Sequence, residues 1–387
     1  MRQSPLIATS GGKGKIALVS PAQSFALLWG AQFLAIGAMM PFLPAILAEG
    51  GLSAGQVGAV MAAGSVVRLL AAPVGGLLAD RAPDIRRILA LATLLAAASA
   101  AGFGLAAGLA ALLAVQVLHS LVAAPVVPLA DALALGAVRA GGFDYSRVRS
   151  VGSITFILGA VAAGQAAEWA GPRMAAWLMV AGLLVAALAS LRLPAAPPRA
   201  RAAVASLWAP LAEPGFRRIL LAAALIQGSH ATYYAFSTLH WQAAGLGSGF
   251  IGLLWGLGVL AEVILFLYGR HLAERLGGRG LAILAGAAGL LRWGMTAETV
   301  EPAILVAVQL LHGLTFGAMH LAAMRALLGL PAGLAGRAQT LLASAVSAAT
   351  GGLIWASGPL YASLGGGAFW AMAGLCLLAL PVAWRLR

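Results

Sequence analysis

The chain has 387 residues, of which 61% are hydrophobic and 9% are charged, and its mean hydropathy is +0.95. Soluble domains carry roughly a quarter charged residues, so this composition excludes the soluble globular and disordered classes. A net charge of +13 occurs in nucleic-acid-binding proteins, but those proteins need a basic face in water. We therefore expect an all-α integral membrane protein whose partner is the lipid bilayer and not a nucleic acid.

A helix needs about 20 apolar residues to cross the hydrocarbon core of a bilayer. The sequence predicts twelve helices of this kind. The ranges of predicted helices 1 to 12 are 22–48, 54–79, 88–107, 109–137, 150–170, 174–193, 219–244, 249–269, 281–297, 303–328, 339–362 and 368–384.

Basic residues concentrate on one side of these predicted helices. If the N-terminus is cytoplasmic, 21 of the 24 Lys and Arg residues lie in the tails and cytoplasmic loops, and only Arg68, Arg173 and Arg292 do not. Because basic residues are enriched in cytoplasmic loops, we expect both termini in the cytoplasm. The Ala-, Gly- and Arg-rich composition is typical of bacteria with GC-rich DNA, which predicts the bacterial inner membrane.

The chain divides into two predicted halves. A cytoplasmic tail (1–21) precedes a six-helix bundle (22–193), a cytoplasmic linker (194–218) leads to a second six-helix bundle (219–384), and a short cytoplasmic C-terminus (385–387) follows. The linker is rich in Pro and Arg and lies at mid-chain, as expected of a hinge between two bundles.

The two halves share an internal repeat. Asp80-Arg81, after predicted helix 2, corresponds to Glu274-Arg275, after predicted helix 8, at an offset of 194 residues. The segment "VQVLHSL" (115–121) corresponds to "VQLLHGL" (308–314) at an offset of 193. Both offsets are about half the chain length, which indicates parallel repeats of six helices each.

The loop "GLLADRAPDIRR" resembles the acidic–basic motif between helices 2 and 3 of the major facilitator superfamily, with Asp84 in place of a small residue. Six further segments resemble the 3-phenylpropionate permease branch of that superfamily: "PLADALAL" (128–135), "DYSRVRSVGSITFI" (144–157), "LIQGSHATYYAFSTLHWQAAG" (225–245), "GLGVLAEVILF" (256–266), "LLRWGM" (290–295) and "LHGLTFGAMHLAAMRAL" (311–327). The resemblance extends from Phe25 to Trp370. It implies the major facilitator fold, with twelve helices in two pseudo-symmetric bundles, and proton-coupled import of an aromatic acid.

Two charged residues lie deep in predicted helices. Arg68 in helix 2 and Glu262 in helix 8 are 194 residues apart, so the repeat places them at equivalent positions. A charge at this depth is costly, and it faces either a cavity or a partner. We predict that Glu262 carries the coupled proton and that Arg68 binds the substrate carboxylate. The alternative is that each only holds neighbouring helices together.

Polar and aromatic side chains follow one face of predicted helix 7. Gln227, His230 and Tyr234 are spaced by 3 and 4 residues, and Tyr233 lies beside them. We predict that these four residues line the substrate cavity, where the tyrosine rings can stack on an aromatic ligand. The alternative is hydrogen bonding between helices. Trp241, near the end of the helix, is predicted to belong to the interfacial aromatic belt.

Predicted helix 10 has a similar face. Gln309, His312, Phe316 and His320 are spaced by 3, 4 and 4 residues. We predict that His312 and Phe316 contact the substrate and that His230 and His320 share the proton with Glu262, because His titrates near neutral pH. His119, the repeat equivalent of His312, is interpreted as a packing residue. Gln32 in helix 1 is a further candidate for the cavity.

A cytoplasmic gate is predicted at the ends of the helices. Asp131 lies near the cytoplasmic surface, where Arg139, Arg147 and Arg149 are candidate partners for a salt bridge. The repeated loop residues Asp80, Arg81, Glu274 and Arg275 are expected to form ion pairs in one conformation and to break them in the other.

The leading functional hypothesis is a monomeric secondary transporter that couples protons to a small aromatic carboxylate. The alternatives are an exporter of amphipathic compounds or drugs and a proton symporter for sugars or nucleosides. An intramembrane enzyme is disfavoured, because no P-loop, HExxH motif or clustered nucleophile is found. Neither an enzyme nor a non-transporting scaffold explains why charges lie at equivalent positions in the two halves. We predict no cofactor and no metal site, and the single Cys376 excludes an intrachain disulfide.

Overall fold

The computed structural model describes residues 20–81, 84–139, 141–194, 206–331 and 333–386, without the side chains of 72–81. Throughout these ranges the regular elements are helices. The α-helices are α1 (Pro21–Glu49), α2 (Ala54–Arg81), α3 (Ile85–Leu105), α4 (Leu109–Ala123), α5 (Val126–Arg139), α6 (Tyr145–Ala170), α7 (Met174–Ser190), α8 (Pro214–Gly228), α9 (Ala231–Ala243), α10 (Ser248–Tyr268), α11 (Arg270–Glu298), α12 (Pro302–His312), α13 (Ala318–Leu328), α14 (Ala335–Leu364) and α15 (Ala368–Trp384).

These helices follow the predicted apolar windows in chain order. Nine stretches are long and apolar enough to cross a membrane within the part of the chain described; one of them, Ala335–Trp384, contains both α14 and α15. Met174–Ser190 is a shorter apolar helix. The predicted linker contains the start of α8 at Pro214, and its residues 195–205 lie outside the described ranges, as does most of the predicted N-terminal tail.

Three of the predicted helices are broken. The break between α4 and α5 contains Pro125, whose ring nitrogen cannot donate a helical hydrogen bond. The chain turns at Ser229 and His230 between α8 and α9. Between α12 and α13, residues Gly313–Gly317 form a π-helical turn, a feature that is frequent at functional sites. Two of the three breaks therefore fall on the candidate site residues of predicted helices 7 and 10.

Helix α11 is longer than predicted. It begins at Arg270, eleven residues before the window 281–297, and its first part ends in a bend at Gly277, where φ is +62°. Only glycine adopts such an angle readily, which explains why the bend lies at this residue. The charged segment that was predicted as a loop is helical up to this bend.

The two halves of the chain pack tightly at one face of the molecule. We call the face that holds Ser20 and Leu386 the terminal face, and the other the opposite face. Near the opposite face, α6 and α10 cross where the backbones of Gly164 and Gly252 are in contact, with no side chain between them. Further contacts between the halves join α2 to α14 and α1 to α9.

Among the described residues, hydrogen bonds between the halves are found only at the opposite face. Thr238 Oγ1 donates to the Pro41 carbonyl at 2.6 Å, and the Gly249 amide donates to Glu168 Oε2 at 3.0 Å. At the terminal face, the hydrogen bonds of the described side chains stay within one half, such as Arg86 Nη1 to the Leu193 carbonyl at 3.1 Å. The halves are therefore joined at the opposite face and separated at the terminal face.

Close helix contact predicts a strong effect of enlarging Gly159. A Cβ atom there would collide with the Leu34 carbonyl of α1. We expect Gly159→Val to lower the free energy of unfolding by about 1–3 kcal/mol, as overpacking does elsewhere, measured by thermal or denaturant unfolding in detergent. Gly352→Val is the matched control, because a Cβ at Gly352 would meet no atom within 4 Å. Equal stability of the two variants would contradict the packing described.

Candidate functional site

The candidate site is organised around Arg292, a residue of α11 that is fully buried. Its Nη1 donates to His312 Nδ1 at 3.0 Å and to Thr315 Oγ1 at 3.2 Å, and its Nη2 donates to Gln309 Oε1 at 3.2 Å. The guanidinium also lies over the rings of Tyr233 and Trp293, at 4.8 and 4.4 Å from their centroids. An aromatic ring attracts a cation held over its face, so these two rings complete the surroundings of the buried charge.

Arg292 sets the protonation pattern of His312. A guanidinium only donates hydrogen bonds, so Nδ1 of His312 accepts and carries no proton. The proton of the neutral ring is then on Nε2, which lies 3.6 Å from Glu262 Oε2. The Glu262 side chain is 19% exposed, whereas Arg292 is fully buried. The three side chains form a chain of contacts that runs from the interior of the bundle to a partly open surface.

His230 is attached to the same cluster from α8 and α9. Its Nδ1 is 3.2 Å from the carbonyl oxygens of Ile226 and Gln227, so this nitrogen carries a proton and donates it. These carbonyls are available because α8 ends at Gly228. His230 Nε2 is 3.2 Å from Thr315 Oγ1, and the same hydroxyl oxygen accepts a hydrogen bond from Arg292. The helix break thus positions the ring of His230 against the buried arginine.

Aromatic rings form one wall of the cluster. The rings of His312 and Phe316 stack at 5.6 Å with an angle of 9° between their planes. The ring of Tyr234 stacks on that of His230 at 5.8 Å. Tyr234 and Phe316 are partly exposed and can reach a ligand. Tyr233 is only 3% exposed and donates its hydroxyl hydrogen to Gln309 Oε1 at 3.1 Å, so it lies behind this wall.

Arg68 lies in the other half, on α2. Its guanidinium donates to Ser120 Oγ and Ser65 Oγ, both at 3.3 Å, and the residue is exposed. No described carboxylate lies within 4.0 Å of it. Arg68 is therefore a cation with free donors, held in place by hydroxyl groups.

The internal repeat is visible in the contacts. His119 Nδ1 is 3.0 Å from Ser99 Oγ, and His312 Nδ1 is 3.0 Å from Arg292 Nη1; both pairs are 20 residues apart, and 193 residues separate Ser99 from Arg292. Sequence reasoning gave Arg292 no role. Two features of the sequence could have indicated a role for Arg292. It is one of three basic residues outside the predicted cytoplasmic segments, and its equivalent in the first repeat is the neutral Ser99.

The remaining candidate residues are His320, Gln227 and Gln32. His320 is partly exposed and packs on Phe266, with 5.8 Å between the ring centroids. Gln227 is partly exposed at the end of α8. Gln32 on α1 is 3% exposed, and its Oε1 has no hydrogen-bond partner among the described residues. The structure thus groups the candidates of predicted helices 7, 8 and 10, and leaves Arg68 and Gln32 in the other half.

The prediction for Trp241 was wrong. The residue is fully buried, and its ring lies 6.1 Å from that of Tyr233. An interfacial belt residue would face lipid headgroups, whereas Trp241 fills the space between the aromatic cluster and the opposite face.

The predicted gate residues Asp131 and Arg149 are not paired in this conformation. Asp131 accepts a hydrogen bond from the Tyr145 hydroxyl at 3.2 Å, and the Arg149 guanidinium lies over the ring of Phe33 at 4.1 Å. As far as the chain is described, no arginine lies within 4.0 Å of the Asp131 carboxylate. The predicted salt bridge between Asp131 and Arg149 is therefore not formed in this conformation, in which the Arg149 guanidinium contacts the Phe33 ring.

The described side chains of the repeated loops form local contacts. Glu274 pairs with Arg270 of its own helix at 2.7 Å, and Arg275 is exposed. The side chains of Asp80 and Arg81 lie outside the described residues. Asp84 caps α3 by accepting from the Arg86 amide, and the hydrogen bond from the Arg86 guanidinium lowers the pKa of the Asp84 carboxyl. This capping role explains why an acidic residue at position 84 can replace the small residue of the motif that the loop resembles.

Comparison with known proteins decides the class of this protein. The model of the MFS_1-like family matches residues 25–374. The chain is 34% identical over 368 residues to the probable 3-phenylpropionic acid transporter of Escherichia coli strain K12, and the match covers 92% of this chain and 94% of that protein. This chain belongs to the MFS_1-like family of the major facilitator superfamily. It is a multi-pass membrane transporter of a small molecule and not an enzyme.

Further relatives of the transporter support the same class. It is 30% identical over 273 residues to the maltose permease of Geobacillus stearothermophilus, covering 70% of this chain and 69% of that one. The solved structure of the nucleoside transporter NupG has a TM-score of 0.80 at 16% identity, covering 95% of this chain and 98% of that one. A bacterial homologue of the iron transporter ferroportin, in the inward-facing state, has a TM-score of 0.75 at 16% identity, covering 95% and 99%. These two structures establish the fold alone.

Thr315 offers a test of the buried network. Its hydroxyl oxygen contacts both Arg292 Nη1 and His230 Nε2 at 3.2 Å. We expect Thr315→Val to lower the free energy of unfolding of the transporter by about 1–3 kcal/mol, because buried polar groups lose their partner. In the control Thr340→Val, the lost hydrogen bond is an exposed one to the Gly336 carbonyl, and a change within about 0.5 kcal/mol is expected. Thermal unfolding in detergent measures both, and equal losses would refute the network.

Proposed function

We propose that this transporter is a proton-coupled symporter of a small aromatic carboxylate and that it works by alternating access. The contact chain from Arg292 through His312 to Glu262 carries the proposal, because it joins a permanent buried cation to an ionisable carboxyl group at a partly open surface. The similarity to the probable 3-phenylpropionic acid transporter supports the substrate class.

Glu262 is the proposed proton carrier. Its carboxylate lies 3.6 Å from Nε2 of His312, the nitrogen that holds the proton of the neutral ring. Protonation of Glu262 removes the negative charge that this N–H faces, and so changes the electrostatic balance around Arg292. His230 and His320 are the proposed second stations of the proton, because His230 shares Thr315 with Arg292 and His320 lies two helical turns from His312 on the same face.

The substrate is proposed to bind between the halves. The free donors of Arg68 suit a carboxylate, which a guanidinium can bind in a bidentate manner. Tyr234 and Phe316 offer partly exposed rings on which an aromatic ligand can stack. Gln32, Gln227 and His312 supply further polar contacts, and Tyr233 supports Gln309 from behind. A ligand that contacts both Arg68 and the aromatic wall would draw the two halves together.

Alternating access is the proposed mechanism, and the unequal contacts at the two faces support it. The halves, proposed to be units 22–193 and 219–384, are joined at the opposite face and separated at the terminal face. We place the terminal face in the cytoplasm of a bacterial inner-membrane protein, in accord with the distribution of basic residues. When this face closes, Asp80, Arg81, Asp131, Arg149, Glu274 and Arg275 are the proposed groups that form new ion pairs. One chain contains the whole proposed site, so a monomer suffices.

Replacement of Glu262 tests the proton coupling. In proteoliposomes, we expect Glu262→Gln to abolish accumulation of 3-phenylpropionate under an inward pH gradient, because the amide cannot take up or release a proton. Exchange of labelled for unlabelled substrate, which needs no net proton movement, is expected to persist. The matched control is Glu301→Gln, an exposed residue at the start of α12. Accumulation by the Glu262 variant at the parental rate would disprove the coupling role.

Replacement of Arg68 tests the substrate class. We expect Arg68→Gln to raise KM for 3-phenylpropionate roughly tenfold to a hundredfold, the value of a hydrogen bond to a charged group. KM for the uncharged 3-phenylpropionamide, if it is transported, should not change. Arg87→Gln is the control, because this arginine is exposed at the start of α3. Parental uptake of maltose or nucleosides in place of the aromatic acid would favour the sugar or nucleoside alternative.

A further inference from the structure

A second concave site lies at the terminal face of the second half, between the start of α8 and the end of α15. Its volume is 250 Å³. The lining residues are Pro214, Arg217, Arg218, Leu221, Val382 and Arg385. Three of the six are arginines, and nothing in the transport site described above involves them.

The three arginines are partly fixed but retain free donors. Arg218 Nη1 donates to the Arg385 carbonyl at 3.1 Å, and Arg217 Nη1 donates to the Leu211 carbonyl at 3.3 Å. Across the described ranges of the chain, no carboxylate lies within 4.0 Å of any of these guanidinium groups. The first turn of α8 adds the positive end of its helix dipole to the same cavity. The site therefore has the charge of an anion-binding site.

The surroundings place this cavity at the depth of lipid headgroups. Trp208, just before α8, is 65% exposed, and Trp384, at the end of α15, is 64% exposed. Exposed tryptophans of a membrane protein concentrate at the interface between the hydrocarbon core and water. Arg279 lies over the ring of Trp384 at 4.2 Å and adds a further positive charge. Leu221 is 49% exposed and forms an apolar wall on the membrane side of the arginines.

We propose that this cavity binds the phosphate group of an anionic phospholipid from the leaflet at the terminal face. The guanidinium groups bind the phosphate oxygens, and the acyl chains continue along Leu221 and Val382. An arginine fork fits phosphate geometry, and basic pockets between membrane helices bind anionic headgroups. A free phosphate offers the same oxygens but has no chains for the apolar wall.

The internal repeat shows that the fold itself does not require these arginines. At the offset of 194, Arg217 and Arg218 correspond to Gln23 and Ser24, and at the offset of 193 Arg385 corresponds to Arg192. The first half thus has one of the three charges at the equivalent place. Arg192 is exposed and provides a matched control for the substitutions.

The test measures lipid binding to the full-length protein purified in a neutral detergent. Phosphatidylglycerol, cardiolipin and phosphatidylcholine are titrated separately, with inorganic phosphate and glycerol 3-phosphate as free-phosphate probes, and the thermal unfolding midpoint and native mass spectra are recorded. We expect the anionic lipids alone to raise the midpoint and to remain bound. In Arg217→Gln/Arg218→Gln/Arg385→Gln, we expect the affinity for these lipids to fall about a hundredfold, or about fivefold per arginine.

Two further variants separate binding from folding. Arg217→Lys/Arg218→Lys keeps the charges and should retain most of the lipid affinity even if the unliganded protein is less stable. Arg192→Gln should bind anionic lipid as the parent does. An unchanged lipid affinity in the triple Gln variant would overturn the proposal. Equal stabilisation by free phosphate, or by phosphatidylcholine, would overturn it too, since the first would assign a soluble anion and the second would show no need for the negative charge.

Discussion

The burial of Arg292 is the constraint on which the rest of the site depends. A guanidinium in the middle of a membrane protein needs acceptors from the protein, because lipid offers none. The two terminal nitrogens of Arg292 donate to His312, Thr315 and Gln309, and its guanidinium lies over the rings of Tyr233 and Trp293. Its Nε has no hydrogen-bond partner among the described residues. These contacts determine the proton position on His312, which in turn determines what Glu262 faces. A single fixed charge thus contacts side chains of α9, α11, α12 and the π turn that follows α12.

The helix breaks also help to hold polar groups inside the bundle. In a regular helix the backbone N–H and C=O groups form hydrogen bonds with each other, so few of them remain to bind side chains. The turn at Ser229 and His230 leaves the carbonyl groups of Ile226 and Gln227 as acceptors for the His230 ring. The π turn begins at Gly313, which lies against the Ala261 carbonyl of α10, so that His312 can approach Glu262. Irregular backbone occurs where the bundle has to hold polar groups, as is general in membrane proteins.

The two halves share equivalent side-chain contacts but place different charges in them. His119 and His312 make the same contact, yet the partner is a neutral serine in the first half and an arginine in the second. Arg68 and Glu262 occupy equivalent positions with opposite charges. The first half therefore presents an open cation, and the second half combines a buried cation with an open acid. This asymmetry gives a symmetric scaffold two chemically distinct sides.

Sequence alone determined the class of fold, the order of the apolar helices and the internal repeat, and it singled out Glu262, His230 and His312 as candidates for the site. These follow from hydropathy, from charge placement and from helical spacing, which are local properties of the chain. Tertiary structure alone decided the central place of Arg292, the burial of Tyr233 and Trp241, and the separation of Asp131 from Arg149. Helical spacing tells which residues share a face, but it does not tell which helix that face meets or where a helix bends. Those contacts depend on how α8 to α13 pack around one buried charge, and packing is a property of the whole bundle.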